Sequence, residues 1–315
     1  MITLMLNTTN DMKNINRTTL FLLLTFGISF SLAGIYKLAF GDLTNRTAFT
    51  IFAAAYMFIP MISAIIVKKL VHHEKLGELL ISFKINKWFL IAWGIMPVIV
   101  FLTLGISLLF PGVTYSSEMT DLFTRFESMF TPKQIEQIKI SLETLPIDFF
   151  WITLMQGLIA GITINALAGF GEELGWRGFL LKEFKEMSFV KASLIIGFIW
   201  GVWHAPIILM GHNYPQHPHL GVFMMVVWTI LLTPIFIYIT LKSKSVIAAA
   251  ISHGTLNATA GLSIMKLDGG TDLTTGVAGI AGFIALLIVL AVIFIYDSYI
   301  SKDKILTTKI SKHLS

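Results

Sequence analysis

Six polar side chains that could perform chemistry lie within stretches of the chain that are otherwise apolar. In chain order they are Glu172, Glu173, Arg177, His204, His253 and Asn257. An ionisable group at the centre of a bilayer costs about 2.5–3.5 kcal/mol even on insertion scales, so such groups need a partner or a function. The chain contains no cysteine, which excludes a thiol nucleophile and a thiolate metal site. Any chemistry at these positions therefore uses oxygen and nitrogen groups.

The spacing of these residues predicts which of them share a face of a helix. Residues four positions apart lie on one face, so Glu173 can pair with Arg177, while Glu172 points about 100° away. This pairing neutralises one carboxylate and leaves the other free. His253 and Asn257 are also four positions apart and should project toward the same point.

Each cluster also has a purely structural interpretation. Glu173 and Arg177 could form a salt bridge at a helix end, because charged residues collect where membrane helices meet water. His204 could bond a neighbouring carbonyl group, and the pair His253 and Asn257 could tie two membrane helices together. The occurrence of three such clusters in three separate apolar segments favours one shared site.

The composition of the chain is that of a multi-spanning membrane protein. Its 315 residues are 55% hydrophobic and 13% charged, against roughly 25% charged residues in soluble domains. The net charge of +5 comes from short Lys and Arg clusters between apolar segments, which argues against a nucleic-acid partner. Residues 1–17 do not have the pattern of a cleaved signal peptide.

Apolar segments long enough to cross a ~30 Å hydrocarbon core predict an all-α, polytopic membrane helix bundle with about eight transmembrane helices. The predicted spans are approximately 18–40, 47–67, 88–110, 150–181, 189–210, 220–241, 245–265 and 276–297. Glycines run through the fourth segment and should allow close helix approach in lipid. We expect a single membrane domain over 1–315, with a motif-bearing core at about 150–265.

The distribution of charge predicts the orientation of this domain. The loop 68–87 contains five lysines, whereas the loop 111–149 contains six acidic residues and only three basic ones. The positive-inside bias then places 68–87 in the cytoplasm, together with both termini. The loop 111–149 is then predicted to be an extracytoplasmic cap. Two segments in it have the periodicity of amphipathic helices, first SSEMTDLFTRFESMF and second PKQIEQIKISLETL.

The depth of the polar residues can be predicted from a rise of 1.5 Å per residue. If the fourth span is one long tilted helix ending at Leu181, Glu172 lies about 14 Å from its cytoplasmic end. His253 lies about 12 Å from Ser245, and His204 about 20 Å from Lys191. We therefore expect one cavity that is reached from the cytoplasm.

The three clusters resemble the motifs of a known family. GEELGWRG matches an EExxxR motif, HGTLN matches an HxxxN motif, and WGVWH matches an FxxxH motif with Trp200 in place of the phenylalanine. Together they are similar to the CPBP intramembrane proteases, which include CAAX prenyl endopeptidases and the Abi-type bacteriocin-processing or self-immunity proteins. The motifs cover about residues 168–260, and the other segments match only as apolar helices.

The resemblance implies a reaction and a role for each residue. Glu172, helped by His204, would act as general base on a water molecule that attacks a peptide carbonyl. His253 and Asn257 would donate hydrogen bonds to the oxyanion. Glu173 and Arg177 would hold Glu172 in position.

The resemblance leaves the metal requirement open. Glu172, His204 and His253 could provide three ligands of a catalytic zinc site, with water as the fourth. They lack the compact H-E-x-x-H spacing of zinc peptidases, however. The family is often classed among metalloproteases, but activation of water by a glutamate needs no metal, and we favour the metal-free scheme.

The predicted substrate is a membrane-associated peptide or protein. The Lys-, Ile- and Asn-rich composition favours a bacterial cell membrane, where a peptide precursor, a bacteriocin leader or the terminus of a membrane protein is expected rather than a prenylated CAAX sequence. Two alternatives stay open. The polar residues could belong to a non-catalytic immunity or scaffold protein, or they could line a transport pathway, although the sequence shows no internal repeat.

Overall fold

The computed structural model describes residues 15–117, 119, 124 and 132–314, and it is a bundle of α-helices with one short β-ribbon. The helices are α1 (Arg17–Phe40), α2 (Arg46–Ile65), α3 (Lys87–Ser107), α4 (Pro132–Glu143), α5 (Phe149–Ile162), α6 (Ile164–Glu173), α7 (Phe189–Trp203), α8 (Ala205–Leu209), α9 (Pro218–Ser243), α10 (Val246–Thr259), α11 (Leu262–Met265) and α12 (Ile280–Ile295). Helical turns extend α2 to Val71, α6 to Glu183 and α12 to Ile300. The predicted all-α fold is confirmed.

Short polar side chains set where the apolar helices begin. Asn16, Asn45 and Asn86 accept hydrogen bonds from backbone N–H groups in the first turns of α1, α2 and α3. Asp148 and Ser245 do the same for α5 and α10. Each cap satisfies donors that would otherwise have no partner at the start of a helix.

The described residues contain five helices that are long and apolar enough to span a membrane. They are α1, α2 with its extension, α3, α9, and α12 with its extension. A sixth span is formed only if α5 and α6 are counted as one broken span, because the chain bends by 49° between them. The break lies at Thr163, whose backbone (φ −119°, ψ −104°) is not helical. The prediction of one continuous tilted span over 150–181 is therefore wrong.

Two other predicted spans are shorter than expected, so eight helices of full membrane length are not found among the described residues. The segment 189–210 divides into α7, with 15 residues, and the short α8. The segment 245–265 divides into α10, with 14 residues, and α11. At a rise of 1.5 Å per residue, α7 and α10 are each about 21–23 Å long, less than a ~30 Å hydrocarbon core.

The predicted cap contributes the β-ribbon and α4. Thr114–Tyr115 (β1) pairs antiparallel with Leu267–Asp268 (β2), so the loop after α3 is joined to the loop before α12. The second predicted amphipathic segment forms α4. Most of the first one lies outside the described residues.

The bundle has two ends, which can be named by their loops. The Lys-rich end holds the loop 68–87, and there the backbone N–H of Val246 donates to the carbonyl of Leu80 (2.9 Å) at the start of α10. The β-ribbon end holds β1, β2 and the loops 41–45, 210–217 and 269–279. Tyr214 joins two of these loops by donating its hydroxyl hydrogen to the carbonyl of Ala278 (2.7 Å).

Glycines allow α6 to lie very close to both of its neighbours, α2 and α10. A Cβ added at Gly171 would lie 2.6 Å from the carbonyl oxygen of Met57 in α2. A Cβ added at Gly254 in α10 would lie 2.4 Å from the backbone nitrogen of Ala166 in α6. The predicted close approach through small residues is confirmed, and it fixes the backbone that carries the carboxylates.

We expect Gly254→Ala to lower the stability of the bundle by about 1–3 kcal/mol, the usual cost of overpacking, because α6 and α10 must move apart. Thermal unfolding of the purified variant in detergent measures this change as a lower midpoint. Gly261→Ala is the matched control, since no atom outside its own helix turn lies within 4 Å of the added Cβ. Equal midpoints for the two variants would contradict the proposed packing constraint.

Candidate active site

Two adjacent carboxylates lie at the end of α6, and the guanidinium group of Arg177 lies one turn later. The turns that follow α6, Leu174–Leu180, are π-helical, and all seven of their residues are buried. Glu172 is 2% exposed, and Glu173 and Arg177 are fully buried. The predicted charged cluster is thus inside the protein and not at a helix end facing water.

Glu173 and Arg177 form the predicted ion pair. An Arg177 Nη1–H group donates to Oε1 of Glu173 (3.0 Å), and Nη2 donates to the hydroxyl oxygen of Thr233 in α9 (3.2 Å). The guanidinium carbon also lies 4.3 Å from the ring centre of Trp200 and 4.8 Å from that of Phe236. Arginine is thus held by one carboxylate, one hydroxyl and two aromatic faces, which offset part of the loss of its hydration.

Glu172 has no arginine partner, but it is not free as predicted. The indole N–H of Trp200 in α7 donates to Oε2 of Glu172 at 2.7 Å. This contact depends on tryptophan at the position where the FxxxH motif has phenylalanine, which has no N–H group. The indole fixes one carboxylate oxygen and leaves Oε1 for another contact.

His253 connects the two carboxylates. Its Nδ1 lies 2.8 Å from Oε1 of Glu173, and its Nε2 lies 3.9 Å from Oε1 of Glu172. Because a carboxylate only accepts hydrogen bonds, Nδ1 carries the proton in the shorter contact. Oε1 of Glu173 therefore accepts from both His253 and Arg177, and this shared atom couples α6, α10 and the turn after α6.

The end of α7 sets the position of His204. Pro206 has no backbone N–H. The backbone N–H of His204 donates to the carbonyl of Gly201, and that of Ile207 donates to the carbonyl of His204. Side chains then bond to two backbone carbonyl groups at the end of α7. Nδ1 of His204 bonds to the carbonyl of Trp200 (2.8 Å), and the hydroxyl of Tyr56 donates to the carbonyl of Trp203 (2.8 Å). With Nδ1 donating to a carbonyl, Nε2 of a neutral His204 is an acceptor.

A cavity of about 440 Å³ joins these groups. Glu172, His204, His253 and Asn257 all line it, whereas Glu173 and Arg177 lie behind its wall. Asn257 is exposed, so its amide is available to a bound molecule. The structure therefore brings together the three predicted clusters and separates them into cavity-lining groups and supporting groups.

The cavity lies at the β-ribbon end of the bundle, and not at the Lys-rich end as predicted. Its wall includes Leu43, residues 211–213, Asp272 and residues 275–279, all in loops of the β-ribbon end. Tyr56 and Met57 line it from α2, but Lys68 and the loop after it do not. The chain is helical between Glu172 and Leu181, as the depth estimate assumed, so the error lies in the end of the bundle toward which the cavity opens.

The sequence did not identify three residues that support the site. They are Tyr56, Thr233 and, as a hydrogen-bond donor, Trp200. Tyrosine and threonine are common in apolar spans, so nothing in the sequence distinguishes Tyr56 or Thr233. Trp200 could have been identified as a site residue, because it departs from the phenylalanine of the FxxxH motif. The zinc ligands considered, Glu172, His204 and His253, stay a prediction. Among the described residues, no group of three His, Asp or Glu side chains is arranged so that it could hold a metal ion.

The structure thus places a buried carboxylate and two histidines at the wall of one cavity, inside a helical bundle with five candidate membrane spans among the described residues. Residues 149–259 match the family described as type II CAAX prenyl endopeptidase Rce1-like. This segment contains all six candidate site residues. The resemblance noted from the three motifs is confirmed.

A curated relative supports the same assignment. The chain is 32% identical over 149 residues to a protein named CAAX prenyl protease 2 from Methanococcus maripaludis. The aligned region is 44% of this chain and 50% of that protein, so the chain spans about half the length of the curated relative it matches.

We expect Glu173→Gln to destabilise the protein by about 3–5 kcal/mol, because it leaves the buried guanidinium of Arg177 without a counter-charge. Glu172→Gln is the control, since its amide oxygen can still accept from the indole of Trp200. Thermal unfolding in detergent should show a much lower midpoint for the first variant than for the second. A similar midpoint for both would mean that the ion pair does not hold the site together.

Proposed function

We propose that the protein is an intramembrane endopeptidase that hydrolyses a peptide bond in a membrane-associated peptide or protein. The observation that carries this proposal is the position of Glu172, a carboxylate 2% exposed, held by Trp200 and next to His253 at the wall of a cavity. The match of residues 149–259 to the type II CAAX prenyl endopeptidase Rce1-like family supports the same reaction class.

The proposed reaction begins with proton transfer from water to the Glu172 carboxylate. The resulting hydroxide attacks the peptide carbonyl carbon, and the carbonyl electron pair moves to oxygen. The proton then passes to the amide nitrogen, the C–N bond breaks, and the products are a carboxylic acid and an amine. His204 assists as a proton acceptor through Nε2, the ring nitrogen that its contact with the Trp200 carbonyl leaves free for this role.

The oxyanion of this reaction needs hydrogen-bond donors in the same cavity. Asn257 offers an amide N–H, and His253 offers Nε2–H when both of its nitrogens carry protons. The carboxylate of Glu173 accepts the Nδ1 proton of His253 at 2.8 Å, which holds the ring with Nε2 on the side of Glu172. Removal of one oxyanion donor typically lowers kcat by about 10²–10³. Glu173 and Arg177 act as positioning residues, and no step requires a metal.

The wall of the cavity indicates an apolar substrate segment. The side chains that line it include Phe49, Phe52, Met225, Trp228, Leu232 and Val277. Such a surface suits a peptide with large apolar side chains near the cleaved bond. A peptide precursor, a bacteriocin leader in processing or self-immunity, or the terminus of a membrane protein has this character, as does a CAAX sequence.

The test compares cells that carry the wild-type protein with cells that carry Glu172→Gln at equal membrane abundance. Mass spectrometry of membrane and secreted peptides should show termini that disappear in the variant. A synthetic peptide that spans such a terminus is then given to the purified proteins, and kcat/KM should fall at least 10²-fold for Glu172→Gln. Asn257→Ala should lower kcat on the same peptide by about 10²–10³.

His219→Ala is the matched control, since it removes an exposed histidine at the start of α9 that does not line the cavity. Its peptide set should equal that of the wild type. If the peptide sets of wild type and Glu172→Gln are the same while a wild-type phenotype persists in both, catalysis through Glu172 is wrong and a non-catalytic immunity or scaffold role takes its place.

A further inference from the structure

At one end of the cavity, the border consists of loops. Leu43, Asn213, Asp272 and Gly279 line it, and they lie in the three loops of the β-ribbon end. The loops around the mouth are fastened to one another, since both Nδ1 of His217 (2.6 Å) and the backbone N–H of Gln216 (2.7 Å) bond to the carboxylate of Asp272. The rim of the cavity is therefore a defined structure.

Toward the Lys-rich end the cavity is closed by packed side chains. Trp176 and Arg177 are fully buried, and Phe179, Leu180 and Leu181 are each at most 1% exposed. The ring of Trp176 packs edge-on against those of Phe21 (5.7 Å) and Trp203 (5.7 Å). No residue of the loop 68–87 lines the cavity. The cavity therefore opens toward the β-ribbon end and not toward the Lys-rich end.

The two ends differ strongly in charge. Fifteen described basic residues lie at or near the Lys-rich end: Arg17, Lys68, Lys69, Lys75, Lys84, Lys87, Lys182, Lys185, Lys191, Lys242, Lys244, Lys302, Lys304, Lys309 and Lys312. The β-ribbon end has a higher share of acidic residues, among them Asp42, Asp148, Asp268 and Asp272. Lysine and arginine concentrate on the cytoplasmic side of membrane proteins.

These observations together orient the site. We propose that the cavity opens on the extracytoplasmic side of the membrane and that its substrate is an apolar peptide segment exposed on that side. The substrate class rests on the endopeptidase activity proposed above, whereas the orientation does not depend on it. A translocated precursor or the external segment of a membrane protein can reach this cavity, and a cytoplasmic peptide cannot.

The absence of cysteine from the chain makes this orientation directly measurable. Three single-cysteine variants of the full chain are compared: Thr44→Cys in an exposed loop at the β-ribbon end, Lys75→Cys in the loop 68–87, and Ala53→Cys in the cavity wall. Intact cells and permeabilised cells are treated with a small, charged thiol reagent that does not cross membranes, and the modified fraction is measured by mass spectrometry.

We expect Thr44→Cys and Ala53→Cys to be modified in intact cells, and Lys75→Cys only after permeabilisation. The reverse pattern, in which Lys75→Cys alone reacts in intact cells, overturns the proposal. An Ala53→Cys variant that does not react even after permeabilisation also overturns it, because the cavity would then be closed. The labelling requires no turnover, so the expected pattern combined with unchanged peptide sets in Glu172→Gln would reject the endopeptidase and keep the orientation.

Discussion

The site depends on one buried ion pair, in which Oε1 of Glu173 accepts hydrogen bonds from both Arg177 and His253. Two fully buried charges are stable only when their attraction and their hydrogen bonds offset the loss of hydration. Here Thr233 and the faces of Trp200 and Phe236 supply the remaining contacts of the guanidinium. The pair thereby fastens α6 to α9 and α10, and its neighbour Glu172 is left at the cavity wall with a fixed direction.

Close backbone packing makes this arrangement possible. Gly171 lets α6 contact the backbone of α2, and Gly254 lets it contact α10, so the carboxylates and His253 come within hydrogen-bonding range. A larger side chain at either position would separate the helices. The small residues thus permit the close approach of the helices on which the polar cluster depends.

Much of the site could be predicted from the sequence, because spacing on a helix determines which residues share a face. The pairing of Glu173 with Arg177 and the meeting of three separate clusters followed from residue types and positions. The break of the fourth span at Thr163 and the end toward which the cavity opens did not. Helix length was overestimated for α7 and α10 for a related reason, as hydropathy shows how far a segment is apolar but not where its backbone breaks.

The break at Pro206 has a consequence for how the site can vary during evolution. His204 is held through the backbone carbonyl of Trp200, which the interrupted helix leaves for a side-chain partner. The course of the main chain thus sets the position of the imidazole. Residues around His204 can change to suit different substrates while the imidazole keeps its place, whereas a change that restored the regular helix would turn the imidazole away even if every side chain of the cavity were retained.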